Sequence, residues 1–348
     1  MRLPSPSRGQ VLAFIAAVCY ALQSLSMRAA APSVDPFLVT VFAGLPTLVF
    51  SVAATLLSSS RRSRLAGLFR RPEGRRLFAG LGAVGLTMYA VGNPLFVKAL
   101  ALGGAVVATP AGNTVVIWSA LLGAALLGER LNRTAWVGVG VFISGILLLS
   151  WGQGADVPVG PGWLWAVPLG VAAGFTWSLG GVGTRLAHGR GVDSFAILSA
   201  FSVAGLGAVG AVVVATGKMA AFIGWAGSHP DALPTVLAMV SAGLFNVGAQ
   251  VSLTAAFYHE TVARASVISS SSVTIVAVLA WALLGDALNP TMFAGILAVF
   301  AGAAMVQAQA GGSAVAGKGA PAGGAALAAP CRPSPRKPTK RQEETPAG

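Results

Sequence analysis

The amino-acid sequence predicts an all-α membrane protein with ten transmembrane helices, arranged as two inverted five-helix repeats. Three observations lead to this fold class: the composition is strongly apolar, ten apolar runs are long enough to cross a bilayer, and the two halves of the chain resemble each other. Hydrophobic residues make up 55% of the 348 residues and charged residues only 9%. A soluble domain carries about 25% charged residues, so we expect this chain to lie in a membrane.

The apolar runs have close to the roughly 20 residues that a helix needs to cross a hydrocarbon core about 30 Å thick. They lie at residues 9–29, 37–58, 77–98, 104–127, 133–151, 162–185, 193–216, 233–257, 262–284 and 290–309. The first run follows Arg2 and Arg8 and could be read as a cleaved signal, but it has full crossing length. Residues 310–348 are rich in Ala, Gly and Pro and end in a basic cluster, so we expect a disordered basic cytoplasmic tail.

Basic residues indicate which connections face the cytoplasm, because Lys and Arg gather on that side. With the N-terminus inside, seven arginines fall between the second and third runs, and the exterior connections hold only Arg28, Lys98 and Lys218. Both termini are therefore predicted to be cytoplasmic. We attribute the net charge of +13 to this topology and to anionic lipid headgroups as partners, and expect no nucleic acid partner.

The two halves align when the chain is shifted by 157 residues. LLGERLN at 126–132 then matches LLGDALN at 283–289, and YALQSLSMRAA at 20–30 matches WSLGGVGTRLA at 177–187. The same shift aligns two pairs of glycines in the last run of each half: Gly138 with Gly295, and Gly145 with Gly302.

Each half contains five runs, and because five is odd the second half enters the membrane from the opposite side. The sequence thus predicts two repeats, residues 9–151 and 162–309, with inverted topology. Secondary transporters with such repeats bind their solute near the midplane and alternate access by rocking one repeat against the other.

The repeated LLG-acid stretch also has a local structural meaning. Gly128 and Gly285 can adopt the left-handed turn that closes a helix, and the Asn four residues later can cap the next helix. Glu129 and Asp286 then lie in the connecting turns. We interpret them as turn acids that accept hydrogen bonds from nearby backbone amides; a coupling or gating role is the alternative.

These features resemble the EamA family of the drug/metabolite transporter superfamily. The resemblance rests on the two five-run halves, the Leu-Gly-acid-x-Leu turn and the Gly-spaced last run, and it covers roughly residues 9–309. It implies a multi-pass carrier of the bacterial inner membrane, commonly an exporter of amino acids or other small metabolites. The resemblance names no substrate, and whether the protein forms a homodimer is left open.

Polar side chains within apolar runs mark the predicted solute pathway, because in lipid they are costly unless they face protein or water. Tyr89 and Asn93 lie four residues apart in the third run, and the shift of 157 residues relates them to Asn246 and Gln250. We predict that all four line a substrate cavity; hydrogen bonding between helices is the alternative. Weaker candidates for the lining are Gln23, Asn113, Trp118, Trp177 and Ser270.

The sequence predicts neither an enzyme nor a cofactor or metal site. It contains no Walker A, His-Glu-x-x-His or Gly-x-Ser-x-Gly motif, which are the patterns that indicate nucleotide, zinc or serine chemistry. Cys19 and Cys331 lie in different settings, so no disulfide is expected. A lipid-handling or flippase-like protein of the same fold is the alternative function.

Charged residues are missing from the middle of every predicted run. A cavity lined by amides, hydroxyls and aromatic rings suits a neutral or zwitterionic solute and has no central carboxylate to carry a proton. We therefore expect facilitated or weakly coupled transport. Proton exchange through Glu260, at the end of the eighth run, is the alternative.

Reporter fusions test the predicted topology. Fusions after Arg71 and at the C-terminus should report a cytoplasmic location, and fusions near Asp156 and Asp231 an exterior one, because arginines concentrate on the cytoplasmic side. A cytoplasmic signal at both Arg71 and Asp156 would exclude ten crossings.

Overall fold

The computed structural model describes residues 6–30, 34–128, 132–154, 163–284 and 289–316. Within these residues every regular element is helical. The described residues up to 309 form one compact unit, and the packing described below is that of this unit.

The first half contains seven α-helices and one π-helical segment among its described residues. They are α1 (Arg8–Ala30), α2 (Pro36–Leu57), α3 (Ser59–Arg70), α4 (Pro72–Leu86), the π segment (Thr87–Gly92), α5 (Asn93–Asn113), α6 (Val115–Leu127) and α7 (Arg133–Gly154). The second half continues with α8 (Trp163–Gly189), α9 (Ser194–Ala215), α10 (Lys218–Ser228), α11 (Ala232–His259), α12 (Val262–Ser270), α13 (Ser272–Leu284) and α14 (Pro290–Ala316).

Six helical stretches of the described chain are long and apolar enough to cross a membrane. Four shorter apolar stretches lie at Ala111–Leu127, Arg133–Leu148, Val262–Val276 and Pro290–Gly302. Each of the ten predicted runs overlaps one of these stretches. The all-helical class is confirmed for the described residues, whereas ten full crossings stay a prediction because four of the stretches are short.

Helical structure also extends beyond the predicted runs. The connections after the second and seventh runs form the short helices α3 and α10. Helix α5 passes through residues 99–103, where the sequence predicts a connection, because Ala and Leu at 99–102 are strong helix formers. Helix α14 reaches Ala316, so the first residues of the predicted tail are helical.

Two aspartates begin equivalent helices of the two halves. Asp35 Oδ1 accepts a hydrogen bond from the Phe37 amide at 2.9 Å, and Asp193 Oδ1 accepts one from the Phe195 amide at 2.9 Å. Each carboxylate thereby satisfies an amide that has no partner within its own helix. These caps fix the first turns of α2 and α9.

Helices α2 and α9 occupy equivalent places in the two halves and pack antiparallel. Near one end Thr55 Oγ1 and Ser199 Oγ lie 3.3 Å apart. Farther along, Leu206 of α9 fills the space over Gly44, where an added Cβ would lie 2.6 Å from a leucine methyl group. Antiparallel packing of equivalent helices is what an inverted pair of repeats requires.

The contact between α2 and α9 joins two groups of helices. Helix α2 also packs against α11, which lies along α1, and α9 also packs against α4. In the group that contains α9 and α4, helix α8 lies along α5, just as α1 lies along α11 in the other group. Each group therefore mixes helices of both repeats, and α2 and α9 form the seam between the groups.

Helices α7 and α14 cross at reciprocal glycines. An added Cβ on Gly145 would lie 2.8 Å from the Gly295 carbonyl oxygen, and one on Gly302 would lie 2.6 Å from the Gly138 carbonyl oxygen. The shift of 157 residues exchanges the two contacts. Glycine allows this approach because it has no side chain, and close packing is a main source of helix association in lipid.

A valine at Gly145 should destabilise the protein by about 1–3 kcal/mol, because its methyl groups would press on the α14 backbone. The thermal unfolding of detergent-solubilised protein measures this. Gly140→Val on the same helix is the matched control, since a Cβ added at Gly140 would meet no other part of the protein within 4 Å and the change carries the same cost in helix propensity. Equal losses in the two variants would contradict the proposed role of the crossing.

Candidate functional site

A hydrogen bond between α8 and α5 joins the two halves of the chain. Trp177 Nε1 donates to Asn93 Oδ1 at 2.8 Å, and the ring of Phe96 meets the indole edge-on with centroids 5.0 Å apart. Gly112 leaves room for both rings, since an added Cβ would lie 2.8 Å from Phe96 and 3.3 Å from Trp177. We call these four residues the amide-aromatic cluster.

A π-helical segment directly precedes the cluster. The amide of Asn93 donates to the Met88 carbonyl, five residues back, instead of the usual four. Pro94 follows, and proline disturbs the preceding helical turn because it lacks an N–H and its ring crowds a carbonyl. Such π turns occur often at functional sites. The Asn-Pro pair was the sequence signal for a disturbed helix, but it did not identify the π turn.

Tyr89 and Asn246 point toward the seam. Tyr89 is buried against Gly205 of α9, where an added Cβ would lie 2.7 Å from the tyrosine Cβ. Asn246 Nδ2 donates to the Ala43 carbonyl at 2.9 Å and to Thr47 Oγ1 at 3.1 Å, both on α2. The two residues thus contact equivalent helices, and Asn246 links helices as the alternative interpretation stated.

Gln250 occupies the position in the second half that Asn93 has in the first. It is partly exposed on α11. Tyr20 of α1 occupies the position equivalent to Trp177. Each of the two pairs therefore combines an amide of one half with an aromatic residue of the other half.

Two of the weaker candidates carry a buried polar atom that has no hydrogen-bond partner among the described residues: Gln23 Oε1 and Trp118 Nε1. The Gln23 amide nitrogen contacts Met27 Sδ at 3.6 Å, and the Trp118 ring meets Phe175 edge-on at 5.3 Å. An unsatisfied buried group costs about 1–3 kcal/mol. Such groups are expected where water or a solute binds.

Two helical stretches each contain a tight 3₁₀ turn, and the two turns lie at equivalent positions of the repeats. Helix α5 passes into α6 at Thr114, with φ −58° and ψ −10°, and α12 passes into α13 at Ser271, with φ −60° and ψ −10°. At both places the amide bonds to the carbonyl three residues earlier. The predicted residues Asn113 and Ser270 directly precede these two turns, and Ser270 is buried. A 3₁₀ turn inside a helix often marks a functional hinge.

A buried carboxylate lies at the end of α11. Glu260 Oε1 accepts a hydrogen bond from Ser7 Oγ at 2.5 Å, and Glu260 Oε2 lies 3.4 Å from Arg264 Nη1. The side chains of Glu260 and Arg264 are only 8% and 14% exposed. The hydrogen bond from Ser7 ties the start of α1 to the junction of α11 and α12.

Two open cavities flank the turn between α8 and α9, and none of the predicted pathway residues lines them. The larger, about 350 Å³, is lined by Leu127, Arg185, Leu186, Gly189, Arg190 and Thr261. The smaller, about 270 Å³, is lined by Arg64, Gly67, Leu68, Arg71 and Gly191. Both are basic and lie at the end of the bundle that carries α3.

The chain matches the EamA-like transporter family over residues 7–151 and 164–307. It belongs to the EamA family. The two matched stretches correspond to the two repeats, and membership makes the protein a transporter of the drug/metabolite type.

A solved structure described only as "Crystal structure of protein" is similar to this EamA chain. It is 18% identical, and the similarity covers 89% of this chain and 99% of that chain with a TM-score of 0.66. At that identity the likeness concerns the fold alone. No curated protein matches the chain.

The two copies of the Leu-Gly-acid-x-Leu turn lie only partly within the described residues. Gly128 ends α6 with φ +66°, the left-handed conformation that the sequence predicts. Asn132 Oδ1 accepts from the Ala135 amide at 2.8 Å, and Asn289 Oδ1 accepts from the Met292 amide at 2.9 Å, so both asparagines cap the following helices. Glu129, Gly285 and Asp286 lie outside the described residues.

Leucine substitutions separate pathway residues from residues that link helices. Gln250→Leu should insert normally and lower solute flux about tenfold, the effect of losing about 1.4 kcal/mol of binding, with little change in thermal stability. Asn93→Leu should lower flux and also stability, because the Trp177 N–H loses its acceptor. Asn246→Leu should mainly lower stability.

Flux of radiolabelled neutral amino acids into proteoliposomes and the unfolding midpoint measure the two effects. Ser144→Ala, on the exposed face of α7, is the control. If Gln250→Leu and Asn93→Leu retain full flux, both residues only link helices.

Proposed function

We propose that this EamA protein is a secondary transporter that exports small neutral or zwitterionic metabolites, such as amino acids, by alternating access. The observation that carries the solute class is the amide-aromatic cluster. Its members offer an amide, an indole N–H and two aromatic rings, and none of them is ionisable. Glu260, by contrast, lies at a helix end and already has Arg264 as its counter-ion.

This chemistry matches both charged groups of a zwitterion. Amide and indole N–H groups donate hydrogen bonds to a carboxylate, and aromatic ring faces attract an ammonium group. A solute with a net charge would need a compensating charge on the protein, since an unpaired charge is costly at that depth in the membrane.

The proposal includes ten membrane crossings, with both termini in the cytoplasm of a bacterial inner membrane. The antiparallel pairs α2 with α9 and α7 with α14 support inversion of the two repeats. Helices α3 and α10 occupy equivalent connections and would lie along opposite membrane surfaces. The four arginines within α3 would then contact anionic lipid headgroups.

We further propose that transport is facilitated or only weakly coupled to protons. A proton-coupled carrier needs a group that gains and loses a proton as access changes. In this chain the central polar groups are amides, hydroxyls and aromatic rings, which keep their protonation state near neutral pH.

Purified protein in liposomes should equilibrate one or more radiolabelled neutral amino acids without an imposed pH gradient, and Glu260→Gln should not abolish this flux. Liposomes with fluorescent phospholipid provide the parallel assay for lipid translocation. Accumulation against a concentration gradient that requires a proton gradient and disappears in Glu260→Gln would refute weak coupling. Lipid translocation without solute flux would favour the flippase-like alternative.

A further inference from the structure

A cation lies at each end of the seam between α2 and α9. In the first turn of α3, Arg61 Nε is 4.0 Å from Asp193 Oδ1, and the guanidinium carbon is 4.4 Å from the ring centroid of Phe195. Arg61 also donates to the Ala54 carbonyl at 3.0 Å. We call the contact of Arg61, Asp193 and Phe195 the Arg61 latch.

The other end of the seam carries the same arrangement. Lys218 begins α10, and its Nζ lies 2.5 Å from Asp35 Oδ2 and 4.9 Å from the ring centroid of Phe37. We call this contact the Lys218 latch. In both latches the cation lies just after the end of one seam helix. It contacts the aspartate that caps the other seam helix, and it also contacts the phenylalanine two residues after that aspartate.

The latches are related by the internal repeat. The shift of 157 residues carries Arg61 onto Lys218, and it brings Asp35 and Phe37 to within one residue of Asp193 and Phe195. Because α2 and α9 run antiparallel, the two latches lie at opposite ends of the bundle. Under the proposed topology, the Arg61 latch is cytoplasmic and the Lys218 latch is exterior.

Both latches can break and re-form. The paired side chains are about a third exposed: 37% and 30% in the Arg61 latch, and 31% for each partner in the Lys218 latch. Ion pairs at that exposure are weak because water screens them. The middle of the seam is held differently, by Leu206 against Gly44, a contact that requires no charge.

We propose that the two latches are alternating gates: opening the seam toward the exterior breaks the Lys218 latch, and opening it toward the cytoplasm breaks the Arg61 latch. The inference rests on the proposed alternating access. When two groups of helices rock about a midplane contact, their ends separate most, and that is where the latches lie. With both latches formed, the structure corresponds to a state closed on both sides.

Spin-label distances test the gates without any solute, so the outcome does not depend on which solute is carried. In protein with Cys19→Ser and Cys331→Ser, one nitroxide pair replaces the exposed residues Leu57 and Val203, toward the Arg61 end. A second pair replaces the partly exposed Pro36, at the start of α2, and the exposed Val214, toward the Lys218 end. Distances are measured by double electron-electron resonance in liposomes.

Lys218→Met should add a longer distance to the Pro36–Val214 pair only, and Arg61→Met should do so for the Leu57–Val203 pair only. Lys218→Arg, which keeps the charge, should restore the native distribution. Lys98→Met, which removes an exposed lysine elsewhere, is the matched control.

The proposal is overturned if neither variant changes its own pair, or if both variants change the same pair. It is also overturned if Lys98→Met produces the same shifts. If a latch variant unfolds at a lower temperature but its distances are unchanged, the latches are static contacts, and this outcome also overturns the proposal. If the native protein transports no amino acid, by contrast, the proposed solute class is wrong, but the proposal about the gates still stands.

Discussion

Close approach of helix backbones at small residues is the constraint on which this bundle depends. Lipid tails are as apolar as leucine side chains, so burying leucine between helices gains little, and association must come from tight packing and a few hydrogen bonds. The chain has 45 glycines, and several lie where two backbones meet. Gly145 and Gly302 set the crossing of α7 and α14, and Gly174 lies over the Gly112 carbonyl, 2.6 Å from an added Cβ.

The sequence predicted the features that follow from composition and chain repetition. Apolar runs indicated where the long helices lie, and the shift of 157 residues identified α2 with α9 and α7 with α14 as equivalent before their contacts were known. Asparagine caps and the left-handed Gly128 followed from residue type alone. Helices α3 and α10 were missed because neither α3, with its arginines, nor α10, with eleven residues, is long and apolar enough to resemble a crossing.

The candidate site shows the limit of helical periodicity. Residues four apart were expected on one face, but Tyr89 packs toward α9 whereas Asn93 bonds to Trp177 on α8. Trp177 was a weak candidate because only the fold brings it to Asn93. Phe96 and Gly112 were missed because an apolar ring and a glycine are ordinary in a membrane helix. Their contribution is shape, which composition does not encode.

Departures from the internal symmetry make the interactions at the proposed cytoplasmic end of the bundle different from those at the proposed exterior end. If the repeats were identical in sequence, the inward-open and outward-open states would be equivalent. The buried pair of Glu260 and Arg264 breaks this equivalence, because the shift places Gly103 and Val107 at the corresponding positions. A buried ion pair is costly to separate, since each charge would be left without its partner, whereas the Lys218 latch is exposed and weak. Ser7 donates a hydrogen bond to Glu260 and thereby joins the start of α1 to this pair, whereas the shift places Leu164 and Gly103 at the corresponding positions. This contact has no side-chain equivalent in the other repeat, so the two ends of the bundle are not held by the same interactions.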